Sequence, residues 1–265
     1  AKLSAGLHAH GVGPGDRVAI IANNRREGAA IALASARLGA AYVPMYESQH
    51  PEDWSHILAD SKAKVAFVSK GQAQDFAAQG LADIETLEHV VCLDAEEAVN
   101  GLPNYASWLT DGDAPKPDLD PNALVALIYT SGTTGLPKGV MLSHRNLCSN
   151  IAAVSQVFPL APDDRSLAFL PWAHCYGQVA ELFYLMSCGG CLCLAESVEK
   201  IADNLLEVPR TIIIGVPRIF TRIHAGVLKK VEQSSPLKQS LFNAAMTVAD
   251  KRREERQRGF VSTRT

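Results

Sequence analysis

Residues 124–139 read LVALIYTSGTTGLPKG, a short apolar run followed directly by glycines, hydroxyl side chains and one lysine. The run 124–129 predicts a buried β-strand. The three glycines after it let backbone N–H groups approach a ligand closely, and the four hydroxyls add donors. Lys138 adds a compact positive charge suited to phosphate, and Pro137 stiffens the adjacent backbone. This composition predicts a loop that binds phosphate groups.

The spacing within this loop excludes the two commonest phosphate-binding motifs. A Walker A loop requires Gly-Lys-Ser/Thr, whereas Lys138 here precedes Gly139. The Gly-x-Gly-x-x-Gly pattern of dinucleotide-binding folds is also missing from the loop. The alternative to a phosphate site is an exposed turn without a ligand, which so many phosphate-suited residues in succession disfavour.

Outward from the loop, short apolar runs alternate with helical stretches. Further strands are predicted at 18–21, 41–44, 65–68, 90–93 and 211–214, and helices at 27–38, 51–60, 143–157, from 217 onward and at 235–258. Gly39 is a candidate C-cap and Ser143 a candidate N-cap. Nearly continuous apolar strands separated by helices favour an α/β fold with mostly parallel sheets flanked by helices.

Composition narrows the possible functions. The 265 residues are 47% hydrophobic and 20% charged, which excludes a disordered chain and predicts one large or two small domains. Lys and Arg number 25 and Asp and Glu 28, and this net charge of −3 argues against a general nucleic-acid binder. The six cysteines are too sparse for a disulfide scaffold, and the 188–193 cluster lacks the second ligand pair of a zinc site.

Two stretches bear on location and organisation. Residues 176–195 are the most apolar, but Glu181 and the Gly189–Gly190 pair predict a buried helix and strand rather than a membrane span. No signal peptide is visible, so a cytoplasmic location is expected. The proline-rich segment 111–121 is either a boundary between two α/β layers or a long surface loop.

The loop also carries a family resemblance. TSGTTGLPKG at 130–139, continued by VMLSHRNL at 140–147, is similar to the signature loop of the adenylate-forming superfamily, which includes acyl-CoA synthetases, luciferases and peptide-synthetase adenylation domains. GPGDRVAI (13–20), LGAAYVP (38–44) and LPWAHCYG (170–177) resemble further segments of that superfamily. GVPRIF (215–220) resembles a segment typical of long-chain fatty acyl-CoA synthetases. The resemblance covers nearly the whole chain and implies the N-terminal large-domain portion of such an enzyme.

This resemblance implies a reaction and its phosphate site. ATP would activate a carboxylate, here a long-chain fatty acid, to an acyl-adenylate with release of pyrophosphate, and coenzyme A would then displace AMP. The residues expected to hold the phosphates are Thr130, Ser131, Gly132, Thr133, Thr134, Gly135, Pro137, Lys138 and Gly139. Thr130 would also approach a Mg²⁺ ion that bridges the phosphates.

The resemblance also implies a substrate side. Its residues would be Trp172, His174, Tyr176, Gly177, Val216 and Pro217. His174 is expected near the carboxylate as the catalytic residue; the alternatives are a histidine of the core or a residue at a helix N-terminus. Val216 and Pro217 would line an acyl tunnel, or would simply pack at the start of a helix.

Several parts of the superfamily pattern are expected beyond residue 265. These are the adenine-binding segment, the Thr-Gly-Asp ribose motif and the catalytic lysine of a C-terminal domain, which is not Lys138. The chain alone is therefore expected to be inactive or to turn over only feebly. Alternatives are a ligase for another acid (a fatty acyl-AMP ligase, or one for aryl acids, medium-chain acids or amino acids), a kinase or NTPase, which the loop spacing disfavours, or a non-catalytic nucleotide-binding protein. Peripheral membrane contact and a homodimer are compatible with this pattern.

Overall fold

The structure is a computed structural model that describes residues 1–78, 80–131, 135–197 and 199–262. The strands of this described part are β1 (Arg17–Ile21), β2 (Ala41–Met45), β3 (Val65–Val68), β4 (His89–Cys92), β5 (Leu124–Thr130), β6 (Lys138–Ser143), β7 (Arg165–Ala168) and β8 (Cys191–Leu194). The α-helices are α1 (Lys2–Ala9), α2 (Arg26–Leu38), α3 (Pro51–Ser61), α4 (Lys70–Ala78), α5 (His144–Val157), α6 (Tyr184–Ser187), α7 (Ile201–Glu207), α8 (Pro217–Glu232) and α9 (Pro236–Ser262). A π-helix spans Gly177–Phe183 directly before α6.

The first six strands form a mixed, mostly parallel sheet in the order β4-β3-β1-β2-β5-β6. The strands β1 to β5 run parallel to one another, and β6 returns antiparallel to β5. A second sheet pairs β7 and β8 in parallel. This arrangement confirms the α/β class with mostly parallel sheets flanked by helices.

The strands β1 to β5 are mostly apolar because both faces of the sheet are covered there. On β1, Val18 and Ile20 pack with residues of α1 and α2, whereas Ala19 and Ile21 pack with residues of α3. Successive side chains of a strand point to opposite faces, so one short run supplies both layers of the core. A strand of this kind has no polar face, which explains the continuous apolar pattern.

Local signals that end and begin helices act as the sequence predicts. Gly39 terminates α2 in the left-handed region, with φ of 74°. Ser143 caps α5: its hydroxyl accepts from the Asn146 N–H, and the Asn146 side chain accepts from the Ser143 N–H. These reciprocal bonds satisfy groups that the first turn of a helix leaves unpaired.

Two parts of the strand pattern differ from the prediction. The sequence does not predict β6, because its residues are partly exposed and begin inside the glycine-rich loop. Conversely, the strand predicted at 211–214 is wrong: its pairing within the described residues is one bridge between Ser166 and Ile212. An apolar run becomes a strand only where a neighbouring chain supplies a ladder of partners.

The apolar stretch 176–195 forms the π-helix, α6 and β8. The side chain of Glu181 lies fully buried inside it. Among the described residues, the search for a helix long and apolar enough to cross a membrane finds none.

The described residues divide into two compact units, one comprising Ala1–Ile214 and the other beginning at Gly215. The first contains both sheets. The second consists of α8 and α9, whose described side chains are mostly exposed. The segment 111–121 lies in the first unit and connects the region after β4 to β5 of the same sheet.

The close packing of α1 against the backbone at Trp108 can be tested by substituting Gly6. A β-carbon at Gly6 would lie 1.7 Å from the Trp108 carbonyl oxygen, whereas one at Gly71 in α4 would meet nothing within 4 Å. We expect Gly6→Ala to lower the free energy of unfolding by about 1–3 kcal/mol, because backbone must move. Gly71→Ala is the matched control and should leave it unchanged or raise it by up to about 1 kcal/mol. Denaturant unfolding measures both, and equal effects of the two substitutions would contradict the packing at Gly6.

Candidate functional site

The predicted phosphate loop is the turn of the β5–β6 hairpin. Residues 125–129 of β5 are buried, and burial ends at Thr130, which is exposed. Thr130 lies directly opposite Lys138, the first residue of β6. Opposite residues of an antiparallel pair place their side chains on the same face about 5 Å apart. The hairpin therefore starts the side chains of Thr130 and Lys138 beside each other at the base of the loop.

The described part of the loop lies at the surface. Thr130, Ser131, Gly135 and Lys138 are exposed, and Pro137 and Gly139 are half-buried. Gly135 has φ of 119°, a conformation that side chains rarely adopt. The predicted residues Gly132, Thr133 and Thr134 lie outside the described residues. The backbone on either side of them is thus open to an incoming anion rather than enclosed in the core.

Helix α3 holds this loop through residues that the sequence analysis did not identify. The His56 Nε2–H donates to the Pro137 carbonyl oxygen at 2.9 Å. One turn along the helix, Asp60 Oδ2 accepts from the Tyr129 hydroxyl at 2.6 Å. A cavity of about 520 Å³ lies between helix and loop, lined by His56, Asp60, Leu136, Pro137, Lys138 and Gly139. The i, i+4 spacing of the two polar residues on α3 is the only signal in the sequence, and it resembles an ordinary solvated helix face.

Tyr129 links this helix to the hairpin. Its ring lies across Gly139 on the paired strand, where a β-carbon would come within 2.9 Å of the ring. Burial, followed by the hydrogen bond to Asp60, raises the pKa of the Tyr129 hydroxyl. The phenol therefore stays protonated and keeps donating to Asp60 at every pH near neutrality. The close contact with the Tyr129 ring requires glycine at position 139, whether or not a ligand also contacts this residue.

A second cavity, of about 400 Å³, opens where the strands of both sheets end. Its walls come from the residues after β1, β2, β7 and β8 together with the turn that follows β7: Ala22, Asn23, Asn24, Tyr46, Ser48, Ala168, Phe169, Pro171, Trp172, Ala173, Ala195, Glu196, Ser197 and Glu199. Ligands of open α/β sheets bind at the carboxyl ends of the strands. The hairpin loop follows the carboxyl end of β5, which is parallel to β2, so it emerges at the same edge of the large sheet.

The turn 170–177 carries the predicted substrate-side residues Trp172, His174, Tyr176 and Gly177. Asn24, just after β1, holds it from one side: its Nδ2 donates to the Leu170 carbonyl at 2.7 Å, and its Oδ1 accepts from the Trp172 N–H at 3.0 Å. Trp172 is buried in the cavity wall. At Gly177 a β-carbon would lie 2.5 Å from the Pro171 carbonyl oxygen, so the turn closes on itself only with glycine there.

His174 lies on the exposed side of this turn, which excludes the alternative of a core histidine. It directly precedes a helical turn, and the Gln178 N–H donates to its carbonyl oxygen at 2.9 Å, as expected of the alternative of a residue at a helix N-terminus. The Tyr176 N–H donates to its Nδ1 at 3.1 Å. A neutral imidazole that accepts at Nδ1 carries its proton at Nε2, where it can donate to an anion. Tyr176 is exposed beside it. Burial, followed by the nearby Cys175, raises the pKa of Tyr46 in the cavity wall, so this turn and the end of β2 are neighbours.

The last two predicted substrate-side residues belong to the second compact unit. Val216 is the N-cap residue of α8 and Pro217 its first residue, both in the second unit. Their role in an acyl tunnel stays a prediction. The described residues contain no group of three or more His, Cys, Asp or Glu side chains that could hold a metal ion.

Glu181 is the second feature that the sequence analysis did not assign to the site. It is fully buried on the π-helix under the turn, and Oε1 accepts from the N–H groups of Phe169 and Leu170 at 3.4 Å each. Oε2 has no hydrogen-bond partner within the described part of the chain. Burial raises the pKa of this carboxyl to about 8, against the opposing effect of the two backbone N–H groups and the Trp172 side chain.

The His56 contact predicts how firmly the loop is held. We expect His56→Ala to increase the rate of trypsin cleavage after Lys138 several-fold, because cleavage requires the local opening that this hydrogen bond opposes. His50→Ala, an exposed histidine just before the same helix, is the matched control and should leave the rate unchanged. Timed proteolysis with mass spectrometry measures both rates. Equal rates in His56→Ala and wild type would show that the Pro137 contact does not restrain the loop.

The buried carboxyl predicts a pH dependence of stability. The pKa of Glu181 rises from 4.5 to about 8 on folding, so between these values the unfolded chain has lost a proton that the folded chain keeps. Wild-type stability therefore falls as pH rises through this interval, by up to about 1.4 kcal/mol per pH unit, and levels off above it. Glu181→Gln removes this loss, so its stability relative to wild type should increase from pH 4.5 to 8.

Denaturant unfolding of wild type and Glu181→Gln at a series of pH values measures this difference. Glu85→Gln, the same change at an exposed site, is the control and should show a constant difference. A constant difference for Glu181→Gln as well would mean that the carboxyl is not buried in the folded protein.

Comparison with known proteins agrees with this geometry. The family model described as "AMP-binding enzyme" matches residues 1–262. The chain is 29% identical over 255 residues to the peroxisomal long chain acyl-CoA synthetase 7 of Arabidopsis thaliana, covering 92% of this chain and 36% of the relative. It is 29% identical to fatty acyl-CoA synthetase B of Dictyostelium discoideum, of which it covers 38%. The chain thus spans well under half the length of these relatives.

Solved structures show the same relationship. The N-terminal domain of FACL13 from Mycobacterium tuberculosis superposes with a TM-score of 0.72 at 26% identity, over 84% of this chain and 55% of that chain. ATP-bound MatB from Rhodopseudomonas palustris superposes with a TM-score of 0.71 at 26% identity, over 84% of this chain and 43% of that chain. With a family model that matches almost every residue, the chain belongs to the AMP-binding enzyme family.

Proposed function

We propose that the protein containing this chain activates a long-chain fatty acid with ATP and transfers the acyl group to coenzyme A. The observation that carries the proposal is the exposed hairpin loop, with Thr130 opposite Lys138. The loop emerges at the same edge of the sheet as the cavity lined by Trp172, and His174 lies on the turn that forms part of this cavity's wall. Two reacting anions need positive charge and fixed donors at such an edge.

In the first step a carboxylate oxygen attacks the α-phosphorus of ATP, and the bond to pyrophosphate breaks. Both reactants are negatively charged, so the barrier depends on charge neutralisation and alignment. In this proposal Lys138, the hydroxyls of Thr130 and Ser131, and the loop's backbone N–H groups hold the β- and γ-phosphates. These donors also stabilise the leaving pyrophosphate, because negative charge accumulates there as the bond breaks.

The Thr130 hydroxyl is one hard oxygen ligand of the kind that Mg²⁺ prefers, and the phosphate oxygens and water supply the rest. This donor chemistry fits a Mg²⁺ ion carried by the nucleotide better than one held by the protein alone. When bound, the ion would neutralise charge on the phosphates. Gly132, Thr133 and Thr134 are proposed to contribute backbone donors and hydroxyls to the same grip.

On the substrate side, His174 is proposed to donate from Nε2 to a carboxylate oxygen and so orient the other oxygen toward phosphorus. Trp172 provides an apolar wall, and Tyr176 and Gly177 belong to the same turn. Val216 and Pro217 are proposed to contact the acyl chain. In the second step the coenzyme A thiolate attacks the acyl carbon and AMP leaves.

The long-chain assignment is supported by the names of the relatives from Arabidopsis thaliana and Dictyostelium discoideum. An adenylating ligase for another acid is the competing assignment, and a screen of acids in an ATP–pyrophosphate exchange assay separates them. We further propose that residues 1–265 are the N-terminal adenylating portion of a longer enzyme whose C-terminal domain completes both steps. A cytoplasmic location, peripheral membrane contact and a homodimer stay predictions.

Substitution of Lys138 tests the phosphate grip. In the intact protein we expect Lys138→Ala to lower kcat/KM for carboxylate-dependent pyrophosphate release by about 100-fold or more, because a charge that stabilises the leaving group is lost. Lys2→Ala is the matched control: it removes an exposed lysine of α1 that pairs with Asp111, and it should retain wild-type activity. A coupled pyrophosphate assay measures both. Unaltered release by Lys138→Ala would contradict the proposed grip.

A further inference from the structure

The backbone that follows β7 is held by three polar side chains. From one side, Asn24 contacts the Leu170 carbonyl and the Trp172 N–H. From the π-helix, Glu181 accepts from the N–H groups of Phe169 and Leu170. Also from the π-helix, the Gln178 Nε2 donates to the Trp172 carbonyl at 3.4 Å. Three side chains from two distant parts of the chain therefore determine the path of residues 169–172.

The two side chains of the π-helix that make these contacts lower the stability of the fold, because each buries an unpaired polar atom. Glu181 and Gln178 are both fully buried, and one oxygen of each lacks a hydrogen-bond partner among the described residues. The indole N–H of Trp172 is likewise buried without a partner in that part of the chain, although it lies close enough to Glu181 to favour its ionised form. A leucine at 181 would fill similar volume without burying polar atoms. The cost is concentrated beneath the turn that carries Trp172 and His174.

The helix that carries Gln178 and Glu181 has an unusual hydrogen-bonding pattern. Gly177–Phe183 is wound as a π-helix, a form that is rare and often found at functional sites. The elements that flank or pack on it carry ionisable residues: His174 and Cys175 before it, Tyr184 and Cys188 after it, and His144, Arg145 and Cys148 on α5. None of these contributes a charge interaction to Glu181, whose environment within the described chain is set by burial, two backbone N–H groups and Trp172.

We propose that Glu181 is a positioning residue for carboxylate activation: through its contacts with the Phe169 and Leu170 N–H groups it holds the 169–172 backbone, and with it the turn that presents Trp172 and His174 to the carboxylate substrate. The inference rests on the proposed function. Glu181 touches neither ATP nor the acid in this scheme and acts through the turn. Its effect depends on reach and on a hydrogen-bond acceptor, not on charge.

Three substitutions at Glu181 test separately the need for side-chain length, for a hydrogen-bond acceptor and for charge. Glu181→Gln keeps the length and one acceptor oxygen without a charge, and should retain kcat/KM for the acid within about three-fold of wild type. Glu181→Asp keeps the carboxyl but falls one methylene short of Phe169 and Leu170. Glu181→Leu keeps the volume but has no acceptor. Both should lose about 10- to 100-fold in kcat/KM for the acid, because small misplacements of positioning groups cost that much.

The readouts distinguish positioning from general destabilisation. Glu181→Asp and Glu181→Leu should raise KM for the acid and lower kcat while changing KM for ATP less than about two-fold. Leu185→Ala, at a buried site in the next helix, is the control: it should lower the melting temperature and leave KM for the acid unchanged. Equal changes in both KM values, or an active Glu181→Leu, would overturn the proposal.

Amide hydrogen exchange supplies a readout that does not depend on turnover. Exchange in a peptide covering 169–177 should accelerate in Glu181→Asp and Glu181→Leu, remain as in wild type in Glu181→Gln, and leave peptides from β1 and α2 unchanged. Unchanged exchange at 169–177 in both Glu181→Asp and Glu181→Leu would overturn the positioning contact. If wild type activates no carboxylate, the proposed function and the catalytic part of this inference fail together, while the exchange data still decide whether Glu181 holds the turn.

Discussion

β5 pairs in parallel with β2 on one side and antiparallel with β6 on the other, and the rest of the site depends on this pairing. Parallel strands end at the same edge of a sheet, so the residues after β1, β2 and β5 leave the core together. The antiparallel partner then brings the chain back at once and sets Lys138 opposite Thr130. The buried strand anchors the base of a loop whose described residues lie at the surface, as a phosphate site requires.

Different kinds of contact support the hairpin loop and the turn after β7. The hairpin loop is held at its rim by α3, through His56 and through the Asp60–Tyr129 hydrogen bond, and these contacts border an open cavity. The turn after β7 is held from beneath by buried polar groups that include an incompletely paired carboxyl. Partly exposed hydrogen bonds contribute little to stability, whereas buried ones restrain the backbone strongly and cost stability when they are incomplete. The turn after β7 is therefore supported at the greater cost in stability.

The sequence predicted much of the fold because its signals are local. Continuous apolar runs predicted β1 to β5, Gly39 predicted the end of α2, and Ser143 predicted the start of α5. It failed where pairing decided the outcome. β6 forms because β5 offers a free edge to a partly polar segment, and 211–214 does not become a strand because its pairing in the described chain is a single bridge. His56 and Asp60 were not identified, and Glu181 was not assigned to the site, because no spacing in the sequence marks a residue whose partner is 81, 69 or 12 positions away.

By itself, the sequence determined the class of fold and the family to which the chain belongs, because these depend on residue types and short-range spacing; the phosphate loop stays a prediction. Only the tertiary structure decided that Thr130 and Lys138 stand side by side, that His174 is exposed while Trp172 is buried, and that Glu181 lies beneath the turn. Register and burial arise from contacts between residues far apart in the chain. A glutamate in an apolar stretch shows only that the stretch is a poor membrane span; its burial against two backbone N–H groups shows what it holds.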